Sequence, residues 1–154
     1  MTITRGIAAA ATFAAVAVGT ASPAWADPAT MSGHYVGTET NPRTGQTLTA
    51  DWYFTPCGDG CASVAIGGTG AAPLQARLVN GQWTMDTTDS AARCPDGTQV
   101  PNAEAGHWTW DPNTLAGTVQ FTDKFAVCGF SAPISYTNNI QLRQAPMSNS
   151  GEGH

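Results

Sequence analysis

The residues of this chain that could carry chemistry are four cysteines, three histidines and eleven carboxylates. Cys57 and Cys61 bracket Gly58-Asp59-Gly60, whose glycines permit a tight reversal, so they form the natural local disulfide. Of the three pairings that four cysteines allow, this one leaves Cys94 for Cys128. In the chain-entropy description the short loop contributes about 2 kcal/mol and the long one about 4 kcal/mol. A structural zinc site asks for two close pairs of thiolates, and only one close pair is present. A redox-active pair asks for C-x2-C ahead of a helix that lowers a thiol pKa; Cys57 and Cys61 stand as C-x3-C, and no helical pattern follows.

Histidines and carboxylates give no convergent set. His34 lies near the start of the first strand, His107 points outward beside Thr118, and His154 sits in the C-terminal tail. Nothing in their spacing gathers them around a metal. Glu39, Asp51, Glu104 and Asp123 are the acids that could flank a glycosidic bond, yet most fall at strand ends or outward positions, where acids are common. No G-x-S-x-G surrounds a serine nucleophile, and Ser63 lies within a strand. Asp59 and the Asp86-Thr87-Thr88-Asp89 run lack the fixed oxygen offsets and bidentate Glu of a calcium loop. The sequence therefore assigns no catalytic residue, no metal ligand and no cofactor.

The aromatics remain. Tyr35, Trp52, Trp83, Trp108 and Trp110 read first as core, since each buries a large area in a small β domain. Trp83 and Trp110 face leucines across their hairpins. Trp108 faces only a glycine, which singles it out as the residue that would touch an apolar ligand or a sugar ring at a barrel mouth.

The elements that position these residues are strands. Lys and Glu are scarce, while Thr, aromatics and turn residues recur in short alternating runs, and about eight strands are expected. Asn80-Gly81 fits a two-residue type I′ turn, which sets Val79 opposite Gln82, Leu78 opposite Trp83, and Ala76 opposite Met85. Asp111-Pro112-Asn113-Thr114 turns a second hairpin, expected to set Trp110 against Leu115 and Trp108 against Gly117. Leu48, Ala50, Trp52 and Phe54 alternate with polar residues in another strand, and Ala62, Val64 and Ile66 mark the one after it. Gly33 to Thr40 opens the domain and Ile134 to Arg143 closes it. Thr88 to Ala103 and Lys124 to Pro133 read as irregular. Gly-x-aromatic triplets at Gly33, Gly81 and Gly106 are too unevenly spaced for an internal repeat.

Residues 1–26 read as a secretory signal peptide. Arg5 precedes an apolar run from Gly6 to Val18, and Ala24-Trp25-Ala26 fits the small-residue cleavage pocket. The run is shorter than the roughly 20 residues a bilayer span needs. Cleavage after Ala26 leaves 128 of 154 residues: a flexible lead-in over 27–32, one β domain over 33–143, and a disordered tail over 144–154. Export exposes the cysteines to oxidising conditions. The exported part keeps Arg43, Arg77, Arg93, Lys124 and Arg143 against eleven acids, a net charge of −6. Clustered basic residues are missing, which argues against nucleic acid and against an anionic membrane surface.

Trp52-Tyr53-Phe54-Thr55-Pro56-Cys57-Gly58-Asp59-Gly60-Cys61-Ala62 resembles the W-x-x-T-P-C-G-x-G-C-A segment of small secreted mycobacterial proteins and of some mycobacterial receptor-kinase ectodomains. Gly81 to Thr84, Cys94 to Gly97 through Val100, Trp110, Leu115 to Val119 and Cys128 continue the likeness over Gly33 to Arg143. The resemblance implies an exported, disulfide-paired β domain without an assigned activity, and it carries over no catalytic residue. The expected architecture is an all-β, lipocalin-like up-and-down barrel in preference to a two-sheet sandwich. The expected function is a secreted, non-enzymatic binding or interaction module with an envelope or extracellular partner. A carrier of small apolar ligands is the alternative, and a secreted hydrolase trails.

Overall fold

The computed structural model describes residues 30–67 and 72–146. The expected signal peptide over 1–26, the first residues of the expected lead-in, and residues 147–154 of the expected tail, with His154, lie outside the described residues. Eight antiparallel strands close into a barrel: β1 (Gly33–Thr40), β2 (Thr47–Gly58), β3 (Cys61–Ile66), β4 (Leu74–Val79), β5 (Gln82–Arg93), β6 (Gln99–Trp110), β7 (Ala116–Asp123) and β8 (Ser135–Gln144). Each strand pairs with its sequence neighbours, and β8 returns to pair with β1. This is the up-and-down barrel, whose closure leaves no sheet edge unpaired.

Alternation decides what points inward. Along β7, Val119, Phe121 and Asp123 are buried while Gln120 and Thr122 are exposed, and on β8 Asn138, Ile140 and Leu142 are buried between exposed neighbours. On these two strands the outward positions are polar. Among the described residues no helix is long and apolar enough to cross a membrane.

Two turns fix much of the register. Asn80 and Gly81 take φ of 51° and 79°, the type I′ geometry, and the expected pairs Ala76–Met85, Leu78–Trp83 and Val79–Gln82 all form. The second hairpin differs from expectation. Trp110 lies opposite Gly117, and Trp108 opposite Val119, two residues away from the anticipated register. The cause is local. Asp111 Oδ1 accepts hydrogen bonds from the Asn113 and Thr114 backbone N–H groups, and Leu115 then adopts a positive φ of 59°. Leu115 is thereby drawn into the loop, so Ala116 rather than Leu115 starts β7. A shift of two preserves the inward face. It also moves the glycine under Trp110: a Cβ on Gly117 would sit 2.6 Å from the Trp110 Cα and closer still to the Thr109 carbonyl oxygen.

The stretch Thr88 to Ala103, expected to be irregular, is largely strand. β5 and β6 each run for 12 residues. Register shifts between Thr87 and Ser90 and between Ser90 and Ala92 break its alternation, which hid the strand from a period-two reading. Lys124 to Pro133 contains no strand, as anticipated. Ala92, Ala103 and Val127 form a small second core where that segment packs on the β5–β6 extension.

The main core is aromatic. Trp83 and Trp110 stack with ring centroids 6.3 Å apart, and Trp52 meets Trp110 edge-on at 5.9 Å. Core packing also reaches back into the lead-in. Met31 is buried, and the Trp110 Nε1–H points to its sulfur at 3.1 Å.

Candidate binding cavity

The two ends of the barrel are built differently. At one end lie the start of β1, the end of β8 and the β2–β3, β4–β5 and β6–β7 turns, and here Trp83, Trp110, Phe54 and Met31 fill the interior. The Cys57–Cys61 disulfide belongs to this closed end, with Cα atoms 5.0 Å apart. Toward the other end three of the inward positions are small: Gly37 on β1, Ala50 on β2 and Ser90 on β5. A recess of about 190 Å³ opens there, floored by Trp52, Trp108, Ile140 and Leu142. It shares Glu39, Leu48, Ser90 and Trp108 with a wider bay of about 1140 Å³ that faces solvent between the β1–β2 loop, the β5–β6 loop and the segment before β8. Cys94–Cys128 ties two of those walls together across 34 residues of sequence.

Trp108 lines both spaces. Its place there has a different origin from the one expected. Its cross-strand partners are Met85 and Val119, not a glycine. The room comes from Gly106, two residues earlier on the same face, where a Cβ would stand 3.0 Å from the Trp108 Nε1. That N–H donates to Thr87 Oγ1 at 3.2 Å, which fixes the indole plane. Gly37 makes room for Trp52 in the same way.

One wall of the bay is polar. Glu104 on β6 and Asp123 on β7 are cross-strand neighbours, and both are buried. The Tyr136 hydroxyl donates to Glu104 Oε1 at 2.6 Å, and Asn138 Nδ2 donates to Glu39 Oε1 at 2.6 Å. Asp123 Oδ2 accepts the Ile134 backbone N–H. Asp123 Oδ1 and Asn138 Oδ1 are buried without a partner. Burial pushes the Glu104 carboxyl up to about 7, against the lowering effect of the Tyr136 hydroxyl; Asp123 and Glu39 raise it further. Burial and the adjoining Glu104 likewise push the Tyr136 hydroxyl above its ordinary range.

The acids weighed in sequence thus separate. Glu39, Glu104 and Asp123 line the bay: Asp123 ends β7 as expected but is buried, and Glu104 is buried within β6 rather than outward or at a strand end. Asp51 is outward, 2.8 Å from His34 Nε2, and His107 Nδ1 lies 2.7 Å from Asp86 Oδ1 on another part of the surface. Asp89 is held by Lys124 at 2.7 Å, which keeps its carboxyl below the usual range. Among the described residues no group of three or more His, Cys, Asp or Glu is placed to hold a metal ion. The chain matches no family model, no curated protein and no solved structure.

Proposed function

We propose that this chain is an exported carrier or sensor of small apolar ligands, which it binds in the open end of the barrel. The observation that supports this reading most is the asymmetry of the interior. The closed end is packed with aromatics, and the open end has small inward residues around a recess floored by Trp52 and Trp108. An eight-stranded barrel has room for its own side chains or for one small ligand, and concave apolar sites with a few polar groups are where small molecules bind. The signal peptide and the two disulfides support an extracellular or cell-wall location. A second reading, docking onto an envelope partner, draws on Phe125 and Phe130, which stand about half exposed beside the mouth.

The test is titration of the oxidised protein with N-phenyl-1-naphthylamine, a neutral apolar probe, read by tryptophan emission. Saturable quenching is expected. It should shrink in Trp108→Phe and persist in Trp83→Phe, which removes a buried N–H that has no partner. An unsaturable response, or equal loss in both variants, would count against the carrier reading.

A further inference from the structure

The polar wall supplies acceptors far in excess of donors. Glu39, Glu104, Asp123 and Asn138 present carboxylate and amide oxygens to one side of the bay, from β1, β6, β7 and β8. The Tyr136 hydroxyl is spent on Glu104, and Asn138 Nδ2 gives one of its two N–H groups to Glu39. Two acceptors, Asp123 Oδ1 and Asn138 Oδ1, have no partner, although Asp123 and Asn138 are 5% and 6% exposed. None of the ion pairs among the described residues involves Glu39, Glu104 or Asp123. Arg43 and Arg93 line the bay but are themselves exposed, at its rim. Buried oxygens without donors, beside acids without counter-charges, are costly unless something delivers both.

We infer that the wall is the head-group site of the same cavity, and that the ligand is a cationic amphiphile: a protonated amine on a short apolar tail. This rests on the carrier reading. The ammonium supplies one positive charge and up to three donors, for the unpartnered Asn138 oxygen and the Glu39 carboxyl beside the recess; Glu104 and Asp123, further along the wall, add negative charge behind them. The tail fits the recess over Trp52 and Trp108, which adjoins the wall at Glu39. An anionic head group would meet three acids on that wall. A neutral alcohol would satisfy one oxygen and leave the charge unbalanced.

The site carries a proton signature. Glu104 is faced by Asp123 from β7, by Tyr136 from β8 and by Glu39 from β1, with Ser90 opposite it on β5. None of these is a cation. An ammonium arriving there stabilises the ionised carboxylate, so Glu104 releases its proton to buffer as the amine binds.

The experiment compares octylamine, octanol and octanoate by calorimetry on the unmodified oxidised protein near pH 6.5, in two buffers of different ionisation enthalpy. Octylamine should bind about tenfold more tightly than octanol, the difference between charge-assisted and neutral hydrogen bonding, with octanoate weakest. Only octylamine should release a proton. Glu104→Gln should abolish that release and reduce the octylamine-to-octanol ratio, and Asn138→Leu should reduce the ratio as well. Octanol or octanoate binding as tightly as octylamine would overturn the head-group assignment and leave the apolar cavity standing. No binding by any of the three would overturn both.

Discussion

Glu104 ionises near pH 7 in the folded protein because it is buried beside Asp123 and Glu39, whereas the unperturbed carboxyl ionises near 4.5. The folded chain therefore holds an extra proton between these values, and its stability falls as pH rises through that window. The full shift corresponds to about 3 kcal/mol. Below the window the sign reverses. Asp89, Asp96 and Asp111 are held below the usual carboxylate range by hydrogen bonds, so protonating them as the pH drops erodes stability. Denaturant midpoints measured from pH 4.5 to 7.5 should decline in the wild type and stay nearly level in Glu104→Gln; parallel slopes would place the raised proton elsewhere. At this scale the inward positions of the polar wall are legible in the parity of the strands. Glu104 has the parity of Trp108 and Trp110, Asp123 that of Phe121, Glu39 that of Tyr35, and Asn138 that of Ile140. Extending the period-two pattern past the last apolar residue of each strand would have turned all four inward. Reading acids at strand ends as solvated stopped that extension too early.

At the level of elements, the turns that carry their own geometry were legible and the ones that borrow it were not. Asn80-Gly81 sets its hairpin alone. The β1–β2 and β6–β7 loops share a more elaborate design. Asn41 and Asp111 each use a side-chain oxygen to accept two backbone N–H groups, and the fifth residue of each loop takes a positive φ. Gly45 fills that position in the first loop and Leu115 in the second, with φ of 73° and 59°. A leucine there gives no hint of a left-handed residue, so the second hairpin is misread by two positions. The cysteines were readable because one pair is local, and both expected disulfides form. Replacing Cys94 and Cys128 by alanine should cost about 4 kcal/mol, against about 2 kcal/mol for Cys57 and Cys61, because the longer loop constrains more of the unfolded chain. Chemical denaturation of the two double variants checks the order, and equal losses would contradict it. The Cys94–Cys128 variant should also weaken probe binding, since that bridge joins two walls of the bay.

For the whole molecule, strand number and hairpin succession pointed to a closed barrel, and the closed barrel is what forms. Whether its interior is filled was beyond a strand-by-strand reading. It depends on how eight inward rows add up at each level of the barrel, and hence on register, bulges and the tilt of paired strands. Large residues meet at one level, Trp83 against Trp110 with Phe54 and Met31 beside them. Gly37, Ala50 and Ser90 meet at another, and space opens above Trp52 and Trp108. The central claim is that ligand enters this upper level and leaves the lower one undisturbed. The indole N–H signals of the tryptophans report both levels at once in a two-dimensional nitrogen–proton spectrum of the oxidised protein titrated with octylamine. The Trp52 and Trp108 signals are expected to move and saturate together, while those of Trp83 and Trp110 stay in place. Saturating shifts at Trp83 or Trp110 without change at Trp52 and Trp108, or four unmoved signals at saturating amine, would contradict the account.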